Sequence, residues 1–408
     1  MKFFKQYDSQ NINYIVYAMF ILTSAIALTS WITIHPDHII ASFLKIIRYM
    51  VYFGCVFCIV RNIVNKRYSI RSFYFLITLV FVSGIAMITS GERTIFLFTL
   101  LLGCIYGCDG NLILKMSCLI QGSVLLTTVF AAVTGITINP IVDEERMRYS
   151  LGFAWASYAP NLLLFVSMQY MLIRRNKLSW FELIIIEILN IFFFGQTDTK
   201  LPFLVLTCLV CVMSFNKITK LRKYLLFLKH RFFKLKSEWI FLPGMCAMLA
   251  IFLPLYKQKS LLWKLLDKGF SGRMTYGKNA IMEYGFSLLG QHINMEGFSI
   301  TGRTSEVYNY VDSSYLHIAI RYGIILLVLV CLLYCMGLLK MHRRKDGRAV
   351  FFLIVILFLC MEEPYLYDVA FNLFPVFIFC DKDALNAPFY LKTVHKKQSK
   401  YIVGQESL

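Results

Sequence analysis

Apolar residues in this chain come in long runs separated by short polar stretches. A helix needs about 20 apolar residues to cross a bilayer core. On that rule the runs predict helices near 14–34, 39–60, 72–89, 94–107, 112–135, 150–173, 178–195, 201–215, 239–256, 314–339, 349–361 and 365–380. The fourth, eighth, eleventh and twelfth runs are short, which suits spans that tilt little, re-entrant segments or helices that extend past these limits. The expected fold is therefore an all-α polytopic membrane protein of about 12 transmembrane helices.

Two stretches interrupt the pattern. Residues 216–238 place Ile218, Leu221, Leu225, Leu228, Phe232 and Leu235 at steps of three and four, with lysine and arginine on the other faces. That spacing predicts an amphipathic helix lying on an anionic leaflet, with a merely basic loop as the plainer alternative. Residues 257–312 form the longest connection, with short amphipathic helices expected at 261–266 and 273–289 and an irregular polar stretch at 290–311. A long loop in a chain otherwise sparing with loops usually carries function. The chain thus divides into helices one to nine (1–256), the long loop (257–312), helices ten to twelve (313–380) and a basic tail (381–408).

Composition agrees with lipid as the solvent. The 408 residues are 58% hydrophobic and 16% charged, too little charge to cover a soluble surface. Ten of the twelve cysteines lie inside apolar runs, where cysteine behaves as a small hydrophobe, and Cys55 and Cys58 have CxxC spacing only in mid-span. The first run is of full span length and lacks a small-residue cleavage site, so it reads as a helix rather than a cleavable signal.

The net charge of +19 invites a nucleic-acid reading, but its distribution fits a membrane surface better and no nucleic acid is expected. With the N-terminus in the cytoplasm, 28 of the 42 lysines and arginines fall in the inside segments. The outside loops hold 11, of which 7 are in the long loop. This is the positive-inside bias, and it predicts both termini in the cytoplasm and the long loop outside.

Ionisable side chains gather on that outer side, where they can line a cavity rather than face lipid. Arg146 and Arg148 precede span six, and Asp198 and Lys200 join spans seven and eight. Arg273, Lys278, Glu283, His292, Glu296, Arg303, Glu306 and Asp312 lie in the long loop. His317 and Arg321 follow one and two turns into span ten, and Glu362 and Glu363 begin the last connection. No HExxH, Walker, GxSxG or GxGxxG pattern occurs, so protease, nucleotidase, hydrolase and dinucleotide readings have no support. Arginine forks grip phosphate oxygens, and carboxylates or imidazoles take protons from hydroxyls. Together they suit a lipid-linked phosphate substrate.

Several local strings carry a resemblance. Arg148, Ser150, Leu151, Gly152 and Phe153, followed by Pro160 and Asn161, resemble the R-x-S-L-G-F…P-N segment of Wzy-type polysaccharide polymerases, which are grouped with O-antigen ligases. Thr197 to Lys200 resembles that family's short T-x-S-R turn. Ser271, Gly272 and Arg273, with Leu289, Gly290 and Gln291 after them, resemble its S-G-R…G-x-G segment. Asp312, Ser314, Tyr315 and Leu316, then Tyr322 and Gly323, resemble its D-N-S-Y-L…Y-G entry to the next helix. The set covers roughly residues 140–380. Lys200 stands where arginine is usual, Ser313 replaces the usual asparagine, and Gly277 lies where an aromatic is common.

The resemblance implies a C-type glycosyltransferase-like membrane fold with one long extracytoplasmic loop, and metal-independent glycosyl transfer with no cofactor. The donor would be a glycan on undecaprenyl pyrophosphate at the outer face of a bacterial cell membrane, with a flippase and a chain-length regulator as possible partners. It points to Arg273, then Arg148 and Arg321, for the pyrophosphate, with Lys200, Asn161 and Tyr315 as further substrate-binding residues. His292, His317, Asp312 and Glu306 compete for the role of base. Structural roles compete as well. Arg321 can snorkel to headgroups, Asp312 can cap span ten, Glu363 can pair with an arginine, and Asn161 can hydrogen-bond between helices. A ligase that moves finished glycan to another acceptor, or a glycan or lipid transporter, is the alternative function.

Overall fold

The computed structural model describes residues 2–143, 146–218, 241–256, 260–269, 272–295 and 310–380. In chain order the helices are α1 (Lys2–Ile26), α2 (Ser30–Ile34), α3 (Ile39–Val64), α4 (Ile70–Ser90), α5 (Thr94–Cys104) and α6 (Gly110–Val133). A two-stranded antiparallel ribbon, β1 (Ile141–Asp143) and β2 (Arg148–Tyr149), precedes α7 (Tyr158–Arg174), α8 (Trp180–Thr197) and α9 (Lys200–Phe215). Then come α10 (Leu242–Phe252), α11 (Leu261–Gly269), α12 (Arg273–Tyr284) and α13 (Ser314–His317), which runs into a π turn (Ile318–Tyr322). The last are α14 (Ile324–Arg343), α15 (Gly347–Leu359) and α16 (Val376–Cys380). The amphipathic segment expected at 216–238 lies outside the described residues beyond Ile218, as do Glu306 and the tail from 381.

Local chemistry sets several of the ends. Ser69 accepts from Ser72 N to start α4, which stops at Gly91 in the left-handed region. Ser179 and Glu182 form a reciprocal capping box at α8, and Asp109 and Asp346 cap α6 and α15.

Among the described residues, α3, α4, α6, α8 and α14 are long and apolar enough to cross a membrane, and α5, α9, α10 and α15 are shorter apolar helices. Ile39, Phe53, Ile88 and Phe181 on these helices are each more than 70% exposed. Apolar surface of that extent belongs in lipid. By contrast α5, apolar on every side, sits inside the bundle between α3 and α4, as such a helix must.

Three expected spans differ from uniform helices. The first breaks at residues 27–29, because that backbone pairs with the chain entering α7. Ser30 N donates to Gly152 O (2.9 Å) and Ala154 N donates to Leu28 O (2.8 Å). The same pairing delays the sixth helix to Tyr158.

The tenth is split by Gly323 (φ +99°). There the segment after α12 lies against the break: Ile324 N donates to Ser287 O (2.9 Å) and Gln291 N to Arg321 O (3.0 Å). A Cβ on Gly323 would sit 2.5 Å from Leu288 O, and one on Gly290 would sit 2.6 Å from Thr89 Oγ1. Two backbones touch there, and only glycine allows it.

The twelfth expected span is not a helix. Residues 360–375 run irregularly across the bundle, against α6, α13 and α14, and only α16 follows among the described residues. Pro364 and Pro375 remove backbone donors, while Asp368 and Asn372 accept from Ala370 N (2.9 Å) and Phe374 N (3.2 Å) in turns that compete with helix. Non-helical backbone survives in a membrane protein only where other groups satisfy it. Gln121 donates to Ala370 O (2.6 Å), Tyr334 to Leu366 O (2.6 Å) and Ser314 to Glu363 O (2.6 Å), while Ser314 Oγ accepts from Leu366 N (3.1 Å). These are buried polar residues of α6, α14 and α13, and their presence in apolar helices is thereby explained.

Candidate functional site

Arg273 opens α12. Gly272 N donates to Asp267 O (2.8 Å), and the Asp267 carboxylate accepts from Thr275 N (3.0 Å) and Thr275 Oγ1 (2.7 Å), which fixes the corner between α11 and α12. The Arg273 guanidinium then meets three carboxylates: Asp312 just before α13 (3.2 Å), and Glu362 (3.1 Å) and Glu363 (3.2 Å) just after α15. Asp312 is thus an ion-pair partner; the residue at the N-cap of α13 is Ser313. Glu363, one of the residues expected to pair with an arginine, does so.

Burial dominates the electrostatics. It pushes Glu363 up to about 7 and Glu362 to about 6, although Arg273 pulls both back. Burial also works against the Arg273 charge, but Glu363, Asp312 and Glu362 outweigh it and hold the guanidinium above its ordinary value. The cluster carries one cation against three carboxyl groups, two of which exchange protons near neutral pH.

A cavity of about 590 Å³ reaches this cluster. Its walls are apolar side chains of α9, α10 and α15, among them Leu204, Leu249 and Phe358, and its polar lining comes from Arg273, Ser313 and Glu362. The cavity is an apolar trough with ionic groups at the α12 side.

Beyond Asp312, α13 and the π turn carry two more of the expected residues. His317 is 3% exposed, with Nδ1 3.1 Å from Val311 O and its ring 5.6, 5.9 and 6.3 Å from those of Tyr310, Tyr322 and Tyr367. Arg321 pairs with Glu92 of the α4–α5 connection (3.1 Å). Arg321 lies in the π turn, which packs on α4.

The other expected residues are spread more widely. Arg148 donates from Nε to Thr197 O (2.8 Å) and from Nη2 to Thr199 Oγ1 (3.2 Å), tying the ribbon to the α8–α9 turn, which Arg146 also grips through Asp198. Lys200 is exposed at the start of α9, one residue before the trough begins at Leu201. His292 is exposed against Ser90 O (3.1 Å). Asn161 hydrogen-bonds Ser157 O (3.0 Å) and Tyr365 OH (3.4 Å), joining α7 to the irregular crossing. Tyr315 is fully enclosed and donates to Leu357 O (3.0 Å), so it packs α13 on α15 and is not open to a substrate. Glu306 lies outside the described residues.

Sequence reasoning missed Asp368, Tyr310 and Tyr367, and named Tyr322 only as part of a string. Asp368 had a visible signal, a lone carboxylate inside an apolar run. Tyr367 had none, because the run-length rule counts tyrosine among the apolar residues, and Tyr310 sits in a polar stretch with no pattern.

These features define a helical, membrane-embedded protein with an ionic cluster at the side of an apolar trough. Compared with protein-family models, curated proteins and solved structures, the chain matches none.

Proposed function

We propose that this chain is a polysaccharide polymerase, a glycosyltransferase that joins oligosaccharide units carried on undecaprenyl pyrophosphate at the extracytoplasmic face of a bacterial cell membrane. The observation that carries the reading is the trough that begins beside Arg273, Ser313 and Glu362 and continues between apolar walls of α9, α10 and α15. A polyprenyl pyrophosphate has that polarity: an apolar tail and a multiply charged head. The positive-inside count supports the orientation, with the α12 side outside and both termini in the cytoplasm.

In the reaction, a sugar hydroxyl of one unit attacks the anomeric carbon of another. The bond from that carbon to the pyrophosphate oxygen breaks, the lipid pyrophosphate leaves with the electron pair, and the hydroxyl proton passes to a base. Arg273 supplies the cation for the leaving group. Burial raises both glutamates, Glu363 to about 7 and Glu362 to about 6, which weakens their hold on the fork relative to that of ordinary carboxylates. Asp312, 3.2 Å from Arg273, serves as base, or whichever of the two glutamates is ionised.

The test is product analysis with purified protein and a defined lipid-pyrophosphate-linked repeat unit. A ladder of longer lipid-linked chains is expected, and Arg273→Ala should abolish it. Leu204→Trp, which fills the trough, should raise KM for the lipid-linked unit at least fivefold and leave the protein folded. Wild-type ladders from Arg273→Ala would overturn the assignment. Transfer only to a different acceptor would make the protein a ligase, and movement of units across vesicles without bond formation would make it a transporter.

A further inference from the structure

The irregular crossing carries a carboxylate that the ionic cluster does not use. Asp368 lies between buried Tyr367 and Val369, yet it keeps part of its own surface accessible. Its Oδ1 accepts from Ala370 N (2.9 Å), and the other oxygen takes no hydrogen bond among the described residues. Asp368 also makes no ion pair there, whereas Asp312, Glu362 and Glu363 all share Arg273. A carboxylate among apolar groups is costly unless something donates to it.

What surrounds it is aromatic. Tyr367 is its neighbour in the chain, and Phe371, whose N donates to Asp368 O (3.2 Å), stands ring to ring with Tyr158 (5.4 Å) and Tyr365 (4.2 Å). Tyr367 stands edge-on to Tyr322 at 5.6 Å, and Tyr310 and Tyr367 flank His317. Tyr158 and Tyr310 are themselves partly accessible. Tyr310 lies two residues before Asp312, which pairs with Arg273, so the aromatic cluster adjoins the Arg273 site.

We infer that Asp368 and the rings of Tyr310 and Tyr158 form a subsite for a sugar ring. The chemistry selects among ligands. A phosphate is repelled by Asp368, and an alkyl chain would leave the carboxylate without a donor. A divalent cation wants several oxygen ligands, and among the described residues no group of three or more His, Cys, Asp or Glu side chains could hold one. A pyranose satisfies both parts: its hydroxyls donate to the carboxylate, and its C–H faces lie on the electron-rich faces of tyrosine rings. This inference rests on the proposed glycosyl transfer in assigning the bound sugar to the acceptor unit; the binding itself does not depend on it.

The experiment uses full-length protein in detergent and the lipid-free oligosaccharide released by mild acid from the host's own lipid-linked units. Binding is read by saturation-transfer NMR and calorimetry. Asp368→Asn keeps an acceptor oxygen for Ala370 N and removes only the charge; it should weaken binding at least tenfold with little change in thermal stability. Tyr310→Phe should bind like the wild type, and Tyr310→Leu should bind at least fivefold more weakly. In the polymerisation assay Asp368→Asn should raise KM for the acceptor more than it lowers kcat. Unchanged binding in both Asp368→Asn and Tyr310→Leu, or no binding by the wild type, would overturn the subsite. Oligosaccharide bound without any chain growth would instead remove the polymerase reading and leave the subsite standing.

Discussion

Glu363→Gln separates the burial of the ionic cluster from its ion pairing. Glu363 is 4% exposed, and Arg273 Nη2 lies 3.2 Å from its Oε1. Glutamine keeps the shape and the acceptor oxygen and deletes the charge. A carboxyl whose pKa rises from 4.5 unfolded to about 7 folded binds its proton more tightly in the native state. Its contribution is therefore fully favourable below pH 4.5 and is lost as pH rises through 7. At about 1.36 kcal/mol per tenfold, the loss comes to about 3 kcal/mol. Glu363→Gln does not suffer it, so the variant should match the wild type near pH 4.5 and exceed it by about that amount at pH 8. With about 2.1 cal/mol/K of unfolding entropy per residue, the gain is roughly 3–4 °C in Tm. The assay is thermal unfolding in detergent from pH 4.5 to 8.5, read as the difference between the two proteins so that all other titrations cancel. A difference that stays flat, or a variant that is the less stable at pH 8, would refute the reasoning, since attraction to Arg273 would then outweigh burial.

Other perturbations address the fold. Gly323→Ala drives a methyl to 2.5 Å from Leu288 O at φ +99°, and should lower stability by about 3 kcal/mol or more, with faster proteolysis of the segment after α12. Gln121→Leu leaves the carbonyls of Ala370 and Phe371 without their donor and removes the acceptor of Gln169 Nε2, a loss of about 1–3 kcal/mol measurable by thermal unfolding. Alkaline phosphatase fused after residue 285 should be active and after residue 345 inactive; the reverse pattern would invert the proposed orientation.

The sequence made the apolar helices legible because each needs only its own run: the nine long or short apolar helices all fall within expected spans or overlap them. Irregular backbone was another matter. The twelfth run is apolar enough for a helix, and what prevents one is satisfied 249 residues away, by Gln121 donating to Ala370 O. The α4–loop contact, Thr89 Oγ1 to Leu289 O, bridges 200 residues in the same way. Such pairings leave no periodic trace. At the site, Arg273 and Asp312 were visible as unusual charges in recognisable strings, and Glu362 and Glu363 as charges at a span end. That one guanidinium gathers all three carboxylates depends on how α12, α13 and α15 converge, which run lengths do not encode. Tyr315 differs: the resemblance implied substrate binding, and packing encloses the side chain.

The irregular crossing also accounts for how so polar a site can exist inside an apolar bundle. A twelfth helix would have satisfied its own backbone and offered side chains only on its faces. The extended path turns backbone carbonyls toward neighbouring helices, and Gln121, Tyr334 and Ser314 were needed to meet them. Those donors hold the segment at three points: at Glu363, Leu366 and Ala370. Between the first and last of these lie Tyr365, Tyr367 and Asp368, and just at the first lies the pair of glutamates on Arg273. The network that satisfies the backbone therefore also fixes the distance between the ionic cluster and the Asp368 carboxylate. Loosening it at Ser314, which accepts from Leu366 N and donates to Glu363 O, should affect both ends together: Ser314→Ala should weaken oligosaccharide binding at Asp368 and shift the pH dependence that Glu363 gives to stability. If only one end responds, the two are held independently, and the crossing is a filler rather than a frame.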